Sequence, residues 1–372
     1  MKNFYEKARE FALANIAPYA KQIDEKAEFP SKSFEKMHET GYLKLLIPKE
    51  LGGLGGDIAD HADAVRAFAS ASATAGLCYM MHNVALMCVL NYGSNELKKE
   101  ITKSVIKGKF LALAYSEFGS GTHFYMPELK VKFDGKNVTF NGTKSMVTSA
   151  GHASFYAVLT PSSDEGIDNW IFPLESGIQF EKNLWNGLGM RGNVSCPMKI
   201  ENVTLDEKYR IGEAGSGAKQ VFETVAPYFV LGLACVYTGL CQNVLENSTN
   251  WAIARKYPNG SNLANIETVQ IHLSDIYTKT AACAALSKDA ANAAKNGKSD
   301  ALAKILAARI NASENAIETS RIAMRIGGGK AYNKNGILEQ LLRDSFAGQI
   351  MAPSVDVLKI WLGKSISGQQ IP

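Results

Sequence analysis

The sequence has no CxxC pair, no HxxxH or HxxE spacing and no GxSxG elbow. Its six cysteines (Cys78, Cys88, Cys196, Cys235, Cys241 and Cys283) are scattered, and four lie in apolar, helix-like surroundings. A disulfide scaffold, a zinc site and an α/β-hydrolase esterase are therefore not expected. Buried free thiols in a reducing compartment are. The six histidines, at 38, 61, 82, 123, 152 and 272, are equally dispersed, so no metal is expected. A lone helical histidine such as His82 or His272 reads as a structural hydrogen-bonder. One-sided charge is also lacking: 40 Lys+Arg stand against 36 Asp+Glu, net +4. No basic run is interleaved with aromatics, so no nucleic-acid partner is expected.

What is present is ordinary globular composition, 46% hydrophobic and 20% charged over 372 residues. That length suits two or three domains, or one large helical unit with an insertion, and supplies ample material for a core. One run, Thr224 to Leu245, has 22 residues without a charge, about the length of a membrane span. It contains Pro227, Thr238, Gln242 and Asn243 and lacks a clear basic flank or paired aromatic belts, so it is read as a buried central helix and no membrane span is expected. The N-terminal stretch MKNFYEKAREFALANIAPYAKQ is amphipathic with no apolar h-region, which gives no secretory signal and a cytoplasmic expectation.

The expected fold class is α+β in three parts: residues 1–108, 109–212 and 213–372. In the first, Phe4, Ala8, Phe11 and Ile16 form an apolar stripe at helical spacing, and Ser31 or Ser33 is placed to cap the next helix. The Gly52–Gly56 cluster has no strand before it and reads as a loop, with Ala-rich helices from about Ile58 to Leu90 and from Glu96 to Ile106. In the second part, Phe110–Tyr115, Leu129–Phe133, Val138–Phe140, Tyr156–Thr160, Trp170–Phe172 and Met198–Ile200 are short runs punctuated by turn residues, which predicts an antiparallel, barrel-like or sandwich domain. In the third, helices are expected over 217–256, 263–295, 299–326 and 337–366, a four-helix bundle. The segment Gly212–Lys219 (GEAGSGAK) lacks the Lys-Ser/Thr pair of a phosphate loop.

Five longer segments occur in order: Ala114–His123 (AYSEFGSGTH), Lys144–Ser149 (KSMVTS), Gly187–Ser195 (GLGMRGNVS), Trp251–Arg255 (WAIAR), and Arg325–Tyr332 (RIGGGKAY) with Glu339–Asp344 (EQLLRD) after it. In this order and spacing the chain resembles the acyl-CoA dehydrogenase flavoprotein family from end to end. The resemblance implies FAD held between the β-domain and the C-terminal bundle. It puts Tyr115, Ser116, Gly121 and Thr122 on the flavin and its phosphates, and the Thr148 hydroxyl at the flavin N5 edge. Met146 stands where relatives often have a ring-covering aromatic. Neutral hydroxyl and backbone donors suit a flavin whose charge develops on reduction. Arg255 matches an arginine that reaches the FAD pyrophosphate of a neighbouring subunit, which implies a homotetramer or homodimer. Gly328 and Gly329 match a pair that lets backbone approach the cofactor, and Ser354 and Asp356 match further FAD contacts. Glu267 and Arg325 replace glutamines usual in the family, and His123 replaces its usual aspartate. The implied partners are an acyl thioester, on CoA or a carrier protein, and an electron-transfer flavoprotein.

One feature of the resemblance is broken. The family's base, a glutamate that removes the α-proton while the β-hydride leaves, lies about eight residues after the Arg-Asp pair. Here that position is Ala352. Some relatives carry the glutamate on the first bundle helix, where this chain has Phe229, next to Val230 in place of a substrate-binding arginine. Asp356, Glu223, Tyr228, His82 and His123 remain as candidates for a relocated base. On a regular helix Glu223 lies about 120° round from Phe229. Three functions stay open: a dehydrogenase with a base from elsewhere, a flavin oxidase or monooxygenase on the same fold, and a non-catalytic FAD-binding subunit.

Overall fold

Capping residues set the helix starts in the N-terminal third. Asn3 and Glu6 form a reciprocal capping box on α1 (Phe4–Asn15), and α2 (Ala17–Lys26) opens with proline in its first turn. The next helix, α3 (Ser31–Glu39), has Pro30 at its N-cap, so neither Ser31 nor Ser33 caps it as the sequence suggested. Asp57 and Asp60 box the start of α4 (Ile58–Ala69), while Ser72 and Ser94 cap α5 (Ala73–Tyr92) and α6 (Asn95–Ile106). The Gly52–Gly56 loop is as tight as its composition implies: a Cβ at Gly53 would lie 2.0 Å from the Ile47 carbonyl oxygen. The structure is a computed structural model, and it describes residues 2–121, 123, 126–163, 165–334 and 336–371.

The β-region is two four-stranded sheets. Its strands are β1 (Leu111–Ala114), β2 (Lys130–Asp134), β3 (Asn137–Val147), β4 (Phe155–Pro161), β5 (Ile167–Pro173), β6 (Gln179–Phe180), β7 (Cys196–Asp206) and β8 (Arg210–Ile211). The sheet orders are β1-β4-β5-β8 and β2-β3-β7-β6. Phe140 of one sheet meets Trp170 and Phe172 of the other at 5.1 and 4.9 Å, closing the sandwich. One pair departs from the antiparallel expectation: β1 runs parallel to β4. The two-residue strands β6 and β8 are too short to carry an alternation and escaped the sequence reading.

The C-terminal third holds α7 (Gly217–Gln220), a π turn at Val221–Val225, α8 (Ala226–Ala254), α9 (Glu267–Lys295), α10 (Ala301–Ala331), α11 (Ile337–Ile350) and α12 (Val355–Ile366). The expected single helix over 337–366 is two. Pro353 has no N–H to donate, its ring opposes a helical carbonyl four residues back, and Ser354 starts α12 by accepting from the Val357 amide at 3.5 Å. Both α5 and the continuous Gly217–Ala254 run are long and apolar enough to cross a bilayer, and both are mostly buried inside the protein. The reading of Thr224–Leu245 as a core helix therefore holds. All six cysteines are buried, and none is in a disulfide.

Helix α8 packs on α4, α9 and α10 at the centre. It comes close to α4 because Gly239 has no side chain: a Cβ there would lie 2.5 Å from the Arg66 carbonyl oxygen and 2.8 Å from the Ser70 amide. These are backbone atoms and cannot swing aside. Gly239→Ala is expected to cost about 1–3 kcal/mol of stability, the usual range for overpacking. An unchanged denaturation midpoint would contradict this packing.

Candidate active site

Two arms of the β-region form the first wall of the site. The arm leaving β1 carries Tyr115 to Gly121, and the end of β3 carries Lys144 to Thr148. The Ser145 amide donates to the Ser116 carbonyl at 2.8 Å. Beneath them the Lys144 ammonium, fully buried, pairs with the Glu117 carboxylate and donates to the Leu159 carbonyl at 2.7 Å. Burial pushes that ammonium down to about 8, with Glu117 opposing the shift. The other Glu117 oxygen accepts from the Glu128 amide at 2.8 Å. This ion pair was not singled out in the sequence, where a lysine and a glutamate 27 residues apart carry no signal.

The structure places the residues assigned to FAD as follows. Tyr115 is buried, and its hydroxyl accepts from Asn169 Nδ2 at 2.9 Å, so only its main chain faces the arm. Ser116 is half-buried and Gly121 is exposed with φ +52. Thr122 lies outside the described residues. Thr148 is buried with its Oγ1 2.9 Å from Ser195 Oγ, at the start of the third wall segment Asn193–Ser195. Asn193 holds that segment in place: its carbonyl accepts from the Ser149 amide at 2.8 Å, and its Oδ1 accepts from the Ser195 amide at 3.2 Å. Met146 is 57% exposed beside them, and Phe118 is 73% exposed.

On the helical side, Gly328 breaks α10 with φ 59 and ψ −153, and a Cβ at either Gly328 or Gly329 would meet nothing within 4 Å. Ser354 caps α12, Asp356 is exposed in its first turn, and Arg255 is exposed at the end of α8 with its guanidinium 5.8 Å from the Tyr257 ring. These residues suit a long cofactor: neutral hydroxyls at one end, an open glycine pair and a free cation at the other, and exposed apolar side chains that a ring system would cover. That donor set fits FAD, with no carboxylate on Thr148 or Ser195 to oppose a reduced flavin.

Ala352 sits half-buried in the turn between α11 and α12, and Phe229 is half-buried at the start of α8. Behind the turn lies a residue that the sequence reading missed. Arg309 is fully buried, donates to the Gly348 carbonyl at 2.9 Å and to the Met351 carbonyl at 3.5 Å, and lies 5.0 Å from the Tyr237 ring. Its one visible signal is a lone arginine in the Ala-rich stretch ILAARINA. Asp344, one turn earlier, accepts from the Met190 amide at 2.6 Å, and burial raises its carboxyl to about 7.

The candidate bases fare differently. Glu223 lies in the π turn and accepts from the Tyr92 hydroxyl at 2.8 Å, and that turn invalidates an angle counted on a regular helix. His82 is structural: one ring nitrogen donates to the Leu43 carbonyl at 2.7 Å, and the other accepts from the Leu111 amide at 3.2 Å. Tyr228 keeps its phenol, which burial pushes up to about 12, and its carbonyl accepts from His61 Nε2 at 3.2 Å. His123 is exposed in the arm after Gly121.

Burial holds both His61 and His82 at about 4, below the ordinary 6.5. The unfolded chain then binds protons from about pH 6.5 downward while the folded chain does not until about 4, so stability falls as pH falls through that window. Asp344 acts oppositely, with stability lost as pH rises from 3.8 towards 7. Two histidines outweigh one carboxyl, so denaturant unfolding is expected to show lower stability at pH 4.5 than at pH 6.5. Equal or greater stability at pH 4.5 would contradict the buried neutral rings.

The comparisons agree with this architecture. The acyl-CoA dehydrogenase N-terminal, middle and C-terminal domain families match residues 1–109, 112–203 and 216–366. The chain is similar to the acryloyl-CoA reductase (NADH) of Anaerotignum propionicum, at 26% identity over 96% of this chain and 92% of that one. It is similar to the 3-(aryl)acrylate reductase of Clostridium sporogenes, at 29% over 91% and 90%. The fold of butyryl-CoA dehydrogenase from Megasphaera elsdenii superposes with TM-score 0.89 and 20% identity, covering 98% of this chain and 97% of that one. With all three domains matched in order and a site suited to a flavin, the chain belongs to the acyl-CoA dehydrogenase family of FAD-dependent oxidoreductases.

Proposed function

We propose that the protein transfers hydride between FAD and the β-carbon of an acyl thioester, the α,β-dehydrogenation reaction or its reverse, without a carboxylate of its own at the α-carbon. The observation that carries this reading is a pairing. The Thr148–Ser195 hydroxyl pair and the open Gly328–Gly329 break suit the cofactor, while Ala352 and Phe229 occupy both base positions with apolar side chains. Bound FAD supplies the hydride acceptor and donor. The chain's own part is to hold that ring by Thr148 and Ser116, to leave room for the far end of the cofactor at the glycine break, to present Met146 over the ring, and to line the thioester pocket with Phe229 and Val230. With methyl and phenyl groups where a base would act, the α-proton passes to or from water.

This favours thioesters whose α-proton is acidified by a conjugated group, and it favours the reductive direction, in which the α-carbon only has to take a proton from solvent. Two relatives named for reduction of acrylates support that preference. Arg255, exposed and in no ion pair among the described residues, is assigned to the FAD pyrophosphate in a second copy of the chain. The exposed Ile350, Tyr332 and Ile366 then lie at or near an interface between copies. An electron-transfer flavoprotein is the proposed acceptor in the oxidative direction, and a reducing cytoplasm the proposed compartment.

Anaerobic turnover with a panel of saturated and unsaturated acyl-CoAs, coupled to a redox dye and read by mass spectrometry of the thioester, tests the reading. A mass change of two hydrogens is expected with at least one of them. The same apolar base positions favour a second reading, an oxygen-using flavoenzyme, because oxygen addition to reduced flavin needs no glutamate. Rapid oxygen consumption by the reduced enzyme, with no two-hydrogen change in any thioester, would replace the first reading by the second.

A further inference from the structure

A cleft of about 580 Å³ lies between the α2–α3 corner and the loop after β6; none of the residues assigned to FAD or the thioester lines it, and Val194 of the third wall segment borders it from behind the flavin site. Its volume is in the range of small-molecule sites, roughly 300–1,000 Å³. Three lysines border it: Lys26, Lys32 and Lys182. None makes an ion pair among the described residues, although their neighbours Lys21 and Lys36 are paired with Glu25 and Glu39. Glu28 is the one carboxylate among the described lining residues, and it already accepts from Gln22 at 3.5 Å. Unpaired cations gathered round a concavity lack the counter-charge that an anion would bring.

The walls between the lysines are aromatic. Tyr19, Phe29 and Trp185 line the cleft, and His152 stacks on Phe29 at 4.6 Å with 13° between planes. Burial and Lys182 push the His152 ring down to about 4, so it is a neutral flat surface at pH 7. The Trp185 indole is fixed by donating to the Arg191 carbonyl at 2.5 Å. The start of α3 opens here as well. Pro30 gives no cap, and the amides of Lys32 and Ser33 have no acceptor within the described chain. Free first-turn amides add to the lysine field at the same end of the cleft.

We propose that this cleft is a second ligand site, which takes a flat aromatic molecule bearing a phosphate group, of the nucleotide class. Phe29 is buried between Phe110 and His152, so the ring lies against His152 and Trp185, and the phosphate meets Lys32, Lys182 and the α3 amides. A site of this kind would let a soluble nucleotide bind the enzyme without touching the flavin.

The test is calorimetric titration of the FAD-loaded protein with AMP, with filtration afterwards to find the flavin. Saturable binding is expected, with the flavin retained on the protein. Adenosine, inorganic phosphate and benzoate are each expected to bind at least about tenfold more weakly, since adenosine lacks the phosphate, inorganic phosphate lacks the ring, and benzoate offers a single carboxylate held tight to a smaller ring. The surface double variant Lys32→Ala/Lys182→Ala is expected to lose at least about tenfold in AMP affinity while its flavin is still reduced or oxidised by thioesters as in the parent, which separates this site from the proposed reaction. The proposal is overturned by any of four results: no saturable heat, AMP releasing FAD into the filtrate, unchanged affinity in the double variant, or adenosine, phosphate or benzoate binding as tightly as AMP.

Discussion

Ala352→Glu is expected to raise the rate of flavin reduction by a saturated acyl-CoA by about 10²–10⁴-fold, the usual contribution of a positioned general base. The site of the change is favourable. Ala352 is half-buried in the α11–α12 turn, whose main chain is held from behind by Arg309 through the Gly348 and Met351 carbonyls. The turn is fixed by Pro353 and by the Ser354 cap rather than by anything Ala352 contributes, so a longer side chain can be accepted without unravelling either helix. Single-turnover mixing under nitrogen, with flavin absorbance as the readout, gives the rate directly. A variant that folds and keeps FAD but gains nothing would mean that the proton already has a route, or that the thioester does not approach this turn. Phe229→Glu provides the parallel experiment at the other position, and a gain in one variant alone would say which of the two positions lies within reach of the α-proton.

Lys144→Met is expected to cost about 3–5 kcal/mol of stability and to loosen FAD. Removing one member of a buried ion pair leaves the other charged and desolvated, and that range is typical of such a loss. Glu117 is 7% exposed and would keep only the Glu128 amide as partner. The Lys144 ammonium also ties the Leu159 and Tyr115 carbonyls, so both arms of the flavin wall lose their common anchor. Denaturant unfolding measures the first effect, and the flavin remaining after gel filtration measures the second. Combining Lys144→Met with Glu117→Leu is expected to recover much of the stability, because the stranded charge is gone. Failure of the double variant to recover would move the cost from electrostatics to packing.

The fold was legible where the chain announces its turns. The apolar stripe of Phe4, Ala8, Phe11 and Ile16, the Gly52–Gly56 cluster and the short runs from Phe110 to Ile200 gave the first helix, the loop and the larger strands, while the serine cap expected for α3 is replaced by Pro30. What was hidden depends on distant partners. The pairing direction of β1 is set by β4, more than forty residues away, and no local pattern reports it. The π turn at Val221–Val225 looks like ordinary helix in sequence, and a base assigned by counting 100° steps past it is misplaced. Pro353 was visible, and the break it makes between α11 and α12 could have been read from it; the strong periodicity on either side concealed it.

The site was legible in a different way. Thr148, Gly328 and Arg255 are proposed because they sit in ordered segments that resemble a family, and composition alone would not have selected them. The Lys144–Glu117 pair, Arg309 and the cleft of Lys26, Lys32 and Lys182 needed three dimensions. Each joins residues that are unremarkable where they stand in the chain, and their significance is burial in the first two cases and unpaired convergence in the third. Ala352 and Phe229 were the opposite case: the resemblance alone picks them out in the sequence as apolar residues at the family's base positions, and the structure adds where they lie.

An anaerobic titration of the FAD-loaded protein with acyl-CoAs, followed by the visible flavin band, tests hydride transfer most directly. Bleaching by a thioester with an acidified α-proton, or return of colour when an unsaturated thioester is added to the photoreduced enzyme, is the predicted result. A flavin band that no saturated thioester bleaches and no unsaturated one restores would contradict hydride transfer to acyl thioesters, and failure of the protein to retain FAD at all would remove the cofactor on which that transfer depends.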